Sequence, residues 1–416
     1  MPKAVHLISS HVESLSRKST ERQFHFIYVV AMICSISFNV MFLKNDGSLE
    51  NKIAYPMKPK FHSKKSMLPR IRNSIRDVPF SACMLVMDDN HRLSEWLAYH
   101  YHVLRLRYLV VGIDPNSRTS PSKILDRWRS FGMTIIDWNN TNIFEGRIWE
   151  YEHVVMKRPR KPHDHRQRQN MFIRNCLVHM KMENRTWVLL LDSDEYLLFN
   201  GPENAMNTFA NLRYPSLQEE GSILKFLERN RHMSHAKLDL PCLSIPRMLF
   251  GAINSKKKDI QNKVPASFDP IAFDTLRFRK HIRRSGTHKI PLNGWSKSII
   301  DVSRVDWTEF PSLVEAFKTN GWQMNIHEPM PKVCERPYVK DNETVFRINH
   351  YLGSWQAFSY RQDARKSEGR DREKWKLKAN QNDETDDNIR PWIQGFVKEH
   401  GTTKAKEMLQ DAGVFA

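Results

Sequence analysis

Apolar positions follow two rhythms from residue 79 onward. Short, nearly continuous β-prone runs, FSACMLVM (80–87), RYLVVGID (107–114), MTIIDW (133–138) and WVLLLD (187–192), alternate with stretches whose apolar residues return every three or four positions. The helical stretches are 94–104, with Trp96, Leu97, Tyr99, His100, Val103 and Leu104 in phase and Ser94 as N-cap, then 121–130 behind Pro121, then 167–183. Strands that are apolar at almost every position are buried on both faces. The pattern therefore predicts an α/β fold, a doubly wound, mostly parallel sheet with helices on both faces. Residues 367–416 are charged at first, and a peripheral helix is expected from Pro391.

Upstream the pattern changes. Residues 24–43, FHFIYVVAMICSISFNVMFL, contain no Asp, Glu, Lys or Arg. At about 1.5 Å per residue, twenty helical positions just span a ~30 Å hydrocarbon layer. A buried core helix is the alternative, but the length fits a single transmembrane signal-anchor behind an N-terminal tail, 1–23. No small-x-small cleavage pattern follows the run. Residues 44–78, with scattered Pro and many Lys and Arg, read as a stem. Basic residues flank the span on both sides, so the charge bias does not set its orientation.

Composition adds one constraint. Lys and Arg number 65 against 46 Asp and Glu, a formal charge of +19 over 416 residues, which calls for an anionic partner. With 40% hydrophobic and 11% aromatic residues the chain is not wholly disordered. Five cysteines without a Cys-x-x-Cys pair exclude a disulfide scaffold. Cys83, Cys176, Cys242 and Cys334 can either pair in an oxidising lumen or sit as small buried hydrophobes. Three Asn-x-Thr sequons, at Asn139, Asn184 and Asn342, follow the apolar span and suit a lumenal body. Phosphate-loop, dinucleotide-fingerprint, zinc-protease and nucleophile-elbow patterns are absent. Two basic stretches, 157–168 and 277–289, would serve phosphate contacts but carry no nucleic-acid-binding module. The His-x-His pairs, His100 with His102 and His163 with His165, lack identifiable further zinc ligands.

The strongest chemical pattern is LLLDSDEYLLF (189–199). Ligands of open parallel sheets bind beyond the carboxyl ends of the strands. Asp192 and Asp194 fall where WVLLL leaves the core, one residue apart, able to reach a hard cation such as Mg²⁺ or Mn²⁺ from one side. Asp-x-Asp is also a common solvated turn. Delivering three acids, Glu195 included, from a buried strand is costly unless they bind something.

The order of segments resembles that of GT-A glycosyltransferases, nearest to glycosyltransferase family 92 and the related family-2-like domains. The resemblance is carried by Glu95, Trp96 and His100 in MDDNHRLSEWLAYH, by Asp114 in VVGIDPNS, by Gln169 and Cys176 ahead of WVLLLDSDEY, and by WSKSIID and RINHYLGSW. It spans roughly residues 80–366, within a domain drawn at 79–366. Asp88-Asp89-Asn90 departs from the family's Asn-Glu turn. The resemblance implies a nucleotide-sugar donor, a glycan or glycoconjugate acceptor hydroxyl, and hexosyl transfer with inversion. It implies Mn²⁺ or Mg²⁺ on Asp192 and Asp194, with His350 as a possible third ligand or a core histidine. Asp114 would face the nucleoside and Lys297 the phosphates, in a Golgi or endoplasmic reticulum lumen. The catalytic base is not selected among Asp274, Asp301 and Glu328. A GT-A-like chain that binds glycans without catalysis, and a basic nucleic-acid-binding protein, are the alternatives.

Overall fold

The strands are β1 (Ser81–Val86), β2 (Tyr108–Ile113), β3 (Thr134–Trp138), β4 (Trp187–Leu190), β5 (Glu195–Phe199), β6 (Cys242–Ile245), β7 (Arg247–Phe250), β8 (Lys280–His281), β9 (Lys297–Asp301), β10 (Phe346–Tyr351) and β11 (Glu384–Thr385). The helices that matter below are α1 (Asn90–Val103), α2 (Ser122–Ser130), α3 (Pro162–Met182), the single turn α4 (Asp274–Arg277) and α5 (Pro391–His400). This computed structural model describes residues 79–144, 162–200, 209, 212–281, 295–312, 316, 324–334, 339, 344–361, 370–380 and 384–413. The expected tail, anchor and stem, 1–78, lie outside the described residues. Among the described residues no helix is long and apolar enough to cross a membrane.

Six strands form the first sheet in the order β3-β2-β1-β4-β9-β6. β1 pairs in parallel with β2 and β4, and β2 with β3. β9 runs antiparallel to both β4 and β6, so it alone opposes the common direction. The mixed α/β, mostly parallel sheet is thus present. A second sheet, β11-β8-β7-β10-β5, was not legible in the apolar pattern.

Alternation along the first sheet explains its apolar strands. Ala82, Met84 and Val86 of β1, Leu109 and Val111 of β2, and Trp187 and Leu189 of β4 enter one core cluster, together with Trp96, Leu97 and Tyr99 of α1. Cys83, Val110, Val188 and Leu190 point the other way, into a second cluster with Met171, Phe172, Cys176 and Leu177 of α3. Neither face of these strands meets water, so neither needs polar positions.

Two local expectations change. α1 begins at Asn90 rather than at Ser94, because the Asp89 carbonyl already accepts from Arg92 N and Leu93 N at 2.9 and 3.1 Å. Ser94 is buried inside the helix, and its Oγ donates to the Gln410 carbonyl at 2.9 Å. The helix from Pro391 does form, but it is no peripheral extension. Trp392, Ile393 and Phe396 are fully buried in the same cluster as α1. Gly395 makes this possible, since a Cβ there would lie 2.2 Å from the Gln218 carbonyl oxygen.

The four cysteines pair. Cys83–Cys176 ties β1 to α3, and Cys242–Cys334 ties β6 to the 324–334 segment. They close loops of 93 and 92 residues, for which chain entropy gives on the order of 4–5 kcal/mol each.

Candidate functional site

β4 ends at Leu190, and the chain turns through Asp192, Ser193 and Asp194 into β5 of the other sheet. The turn closes on itself: Glu195 N donates to the Asp192 carbonyl at 3.1 Å, and Asp192 N to Glu195 Oε2 at 3.0 Å. Tyr351 N, at the end of β10, donates to the Asp194 carbonyl at 2.9 Å. The acidic turn is therefore fixed between the sheets, at the carboxyl edge of the parallel strands.

Four cationic groups converge on it. Lys297, at the start of β9, is fully buried, with Nζ 2.8 Å from Asp192 Oδ2 and 3.0 Å from Glu195 Oε2. Arg247 reaches Glu195 Oε1 at 3.1 Å. Arg92 of α1 lies 3.4 Å from Asp194 Oδ2 and 3.0 Å from Asp274. Arg361 lies 3.6 Å from Asp89. Gly353 opens the path for Arg92: its φ is +78°, and a Cβ on it would fall 1.7 Å from an Arg92 terminal nitrogen. His350 completes the ring, with Nε2 3.6 Å from Asp194 Oδ2.

These partners set the protonation states. Burial disfavours the Asp194 carboxylate, but His350, then Arg92 and Arg361, outweigh it and hold the carboxyl well below the ordinary range. Burial likewise works against Asp192, and Lys297 more than offsets it. Desolvation lowers Lys297 less than Asp192 and Glu195 raise it, so its ammonium persists. Asp89 goes the other way, pushed up by burial against the pull of Arg361.

Of the residues singled out in the sequence, Asp192, Asp194, Lys297 and His350 meet in one cluster. Asp114 stands at the end of β2 on the same edge, but its contacts run elsewhere. Arg168 of α3 donates to Oδ2 at 2.6 Å, and Asn116 N to Oδ1 at 2.8 Å. Among the base candidates, Asp301 is excluded. It is fully buried at the far end of β9, opposite Trp187, and pairs with Arg231. Asp274 joins the cluster through Arg92. Glu328 follows His327, which is 2.8 Å from the Ser296 carbonyl beside Lys297.

Sequence reasoning missed Asp89, Arg92, Arg247 and Arg361. Arg92 carried a weak signal, a charge three residues ahead of Glu95 at the start of a helix whose later positions are rich in apolar and aromatic residues. Arg247 and Arg361 carried none, because long-range folding brings them here. The departure at Asp88-Asp89 has a structural use. Asp88 adopts φ 58° and accepts from Arg118 N and Thr119 N at 2.7 and 3.1 Å, tying the end of β1 to the loop after β2. Asp tolerates this left-handed backbone.

A divalent cation fits part of the set. Adjacent ligands of an octahedral Mg²⁺ lie about 3 Å apart, whereas Asp194 Oδ2 and His350 Nε2 are 3.6 Å apart. A cation between them would draw the two together, replace the proton that His350 shares with Asp194, and compete with Arg92 for Oδ2. Asp192 Oδ2 holds Lys297, which leaves Asp192 its other oxygen. Among the described residues no group of three or more His, Cys, Asp or Glu is placed to hold a metal. A cation here would complete its shell with substrate oxygens and water, the usual habit of Mg²⁺ at phosphate sites.

The basic stretches are partly accounted for. Arg279 pairs with Asp387 and Arg168 with Asp114, so both are engaged within the fold. Residues 157–161 and 282–289 lie outside the described residues, as do the side chains of His163 and His165. His100 sits in the core, its Nδ1 2.9 Å from the Trp96 carbonyl, and burial pushes it down to about 3.

No family model matches the chain, and no curated protein matches it. Among solved structures it is similar to TarS 1–349 of S. aureus, at 13% identity and a TM-score of 0.30, over 77% of this chain and 71% of that one. The same protein in complex with UDP gives 13% identity and 0.30, over 68% and 62%. A mycobacterial protein gives 8% identity and 0.23, over 66% of each chain. TM-scores this low establish no shared activity, and the functional reading rests on the site's own geometry.

Proposed function

We propose that this chain is a membrane-anchored, divalent-cation-dependent glycosyltransferase that moves a hexosyl group, with inversion, from a nucleotide-sugar donor to a hydroxyl of a glycan or glycoconjugate. The observation that carries the proposal is the pairing of charge at the acidic turn. Asp192 and Asp194 are held ionised at the carboxyl edge of the sheet, where open α/β sheets bind ligands, and Lys297, Arg92 and Arg361 stand among them. A diphosphate needs both signs: cations for its oxygens, and carboxylates to seat a metal. Asp194 and His350 would hold Mn²⁺ or Mg²⁺, with Asp192 contributing its free oxygen. The ion would supply Lewis-acid stabilisation of the leaving diphosphate. Arg361, the most open of these cations, then faces the phosphates. Lys297, expected there from the sequence, is fully buried and together with Arg92 holds the carboxylates in place. Asp114, which already accepts three hydrogen bonds from Arg168 and Asn116, faces the nucleoside with its remaining acceptor capacity.

An inverting transfer needs a carboxylate base near the acceptor hydroxyl. Asp274 takes that role in this reading, because Arg92 links it directly to Asp194. The two disulfides support an oxidising compartment, consistent with a catalytic body in the Golgi or endoplasmic reticulum lumen anchored by residues 24–43. Incubating the purified chain with nucleotide sugars and Mn²⁺, and measuring released nucleoside diphosphate, tests the proposal. Turnover that Asp194→Asn abolishes supports it.

One observation favours a second reading, a GT-A-like chain that binds glycans without catalysis: Lys297 already neutralises Asp192. Donor binding without turnover, with or without Mn²⁺, would select it.

A further inference from the structure

We propose that Asn139 carries an N-linked glycan whose first sugars lie in the cleft that opens beside it. This site is separate from the acidic turn and shares no residue with it. The cleft holds about 400 Å³, and its lining includes Trp138, Thr141, Asn142, Asn175, His179 and Met182. One of these residues, Thr141, belongs to the acceptor sequon itself, and two flank it. Asn139-Asn140-Thr141 is an Asn-x-Thr sequon, Trp138 precedes it, and Asn142 follows it.

The local structure leaves the reactive atom available. Asn139 is exposed at the end of β3 and caps the short helix Asn140–Ile143. Its Oδ1 accepts from Thr141 N at 2.9 Å and from Asn142 N at 3.2 Å. An N-glycan is attached through the amide nitrogen, so capping and glycosylation use different atoms of one side chain. The modified residue can keep its cap.

The cleft has the chemistry of a sugar site. Trp138 is half-buried and held between Phe172 and His179, at ring separations of 5.9 and 5.6 Å. An aromatic ring packs against the C–H face of a pyranose, and neighbouring amides and hydroxyls meet its polar edge. Thr141 and Asn142 supply such groups. Tyr108 Oη lies 2.9 Å from His179 Nε2, which fixes the imidazole. Burial lowers His179 further from its charged form. Met182, 67% exposed at the cleft's edge, is an apolar side chain that a glycan would cover. The Cys83–Cys176 and Cys242–Cys334 bridges point to the oxidising compartment in which such glycans are added. Asn184, exposed in a turn with φ 52° and heading the sequon Asn184-Arg185-Thr186, serves as an acceptor for comparison.

The test expresses the full chain in secretory eukaryotic cells and follows enzymatic removal of N-glycans by mass. Asn139→Gln and Thr141→Ala are each expected to lose the mass of one glycan, while Thr141→Ser keeps it. In the native protein the Asn139 glycan should be released about tenfold more slowly than after denaturation, the factor a contact of about 1.4 kcal/mol provides. Trp138→Ala should remove that protection. Met182→Asp, at an exposed position that the fold tolerates, should weaken it even if the Trp138 variant does not fold. An unmodified Asn139 in protein whose disulfides have formed overturns the proposal while leaving the transferase reading intact. Equal release rates before and after denaturation overturn the cleft assignment. Free thiols together with an unmodified Asn139 overturn the proposal and the lumenal placement alike.

Discussion

Lys297 Nζ sits between Asp192 and Glu195, 2.8 Å from the one and 3.0 Å from the other, with no exposure of its own. One ammonium from β9 therefore pins the acidic turn to both sheets at once. Removing it leaves Glu195 buried with Arg247 as its remaining cation and frees Asp192. Lys297→Met should destabilise the fold by about 3–5 kcal/mol, the usual cost of breaking a buried pair. It should also abolish donor turnover. Urea denaturation measures the first effect, and nucleoside diphosphate release the second.

Asp194 is the site carboxylate with the strongest electrostatic support and the one paired with His350. Asp194→Asn keeps the turn's backbone bonds but removes the charge that Arg92 and His350 face, so the variant should still fold, with a lowered melting temperature. Its turnover should fall by about 10²–10³-fold, as on removal of a preorganised electrostatic group, and Mn²⁺ should no longer stimulate it. A variant that retains full Mn²⁺ stimulation removes Asp194 from the cation site.

Asp274 and Glu328 can be separated by kinetics. Asp274→Asn should lower kcat by about 10²–10⁴-fold, the range of general-base catalysis, with donor affinity unchanged. Glu328→Gln should leave kcat nearly as it was. The opposite pattern would move the base to Glu328, whose carboxyl burial pushes up.

Glu95, which accepts from the Asp274 backbone N–H at 2.8 Å, predicts a pH dependence of stability. Burial, then the charge of Asp274, pushes it up to about 8, against hydrogen bonds from Thr275 and from Asp274 N. A carboxyl whose pKa is higher in the folded state than in the unfolded chain stabilises below the unfolded value and loses that contribution as pH rises through the folded one. Stability should therefore decline between about pH 4.5 and 8. Glu95→Gln should flatten the slope over that window in denaturant titrations at several pH values.

Much of the fold was legible in the sequence because β1, β2 and β4 are apolar on both faces, and only a sheet covered on both sides makes sense of that. The acidic turn was legible for a related reason: charge at the end of a buried strand stands out. Hidden from the sequence were the second sheet, whose strands are short or far apart in the chain, and the arginines that surround Asp194. Arg92 and Arg361 are 269 positions apart, and no local period links them. Cysteine pairing was equally open, since Cys83 and Cys176 serve as core residues in either redox state.

The most direct test of the central claim is the release of nucleoside diphosphate by the purified full-length protein across a panel of nucleotide sugars, with Mn²⁺ and then with a chelator. The account predicts turnover of at least one donor, lost on chelation, restored by Mn²⁺ and absent in Asp194→Asn. A folded, disulfide-bonded protein that neither binds nor cleaves any donor would contradict it.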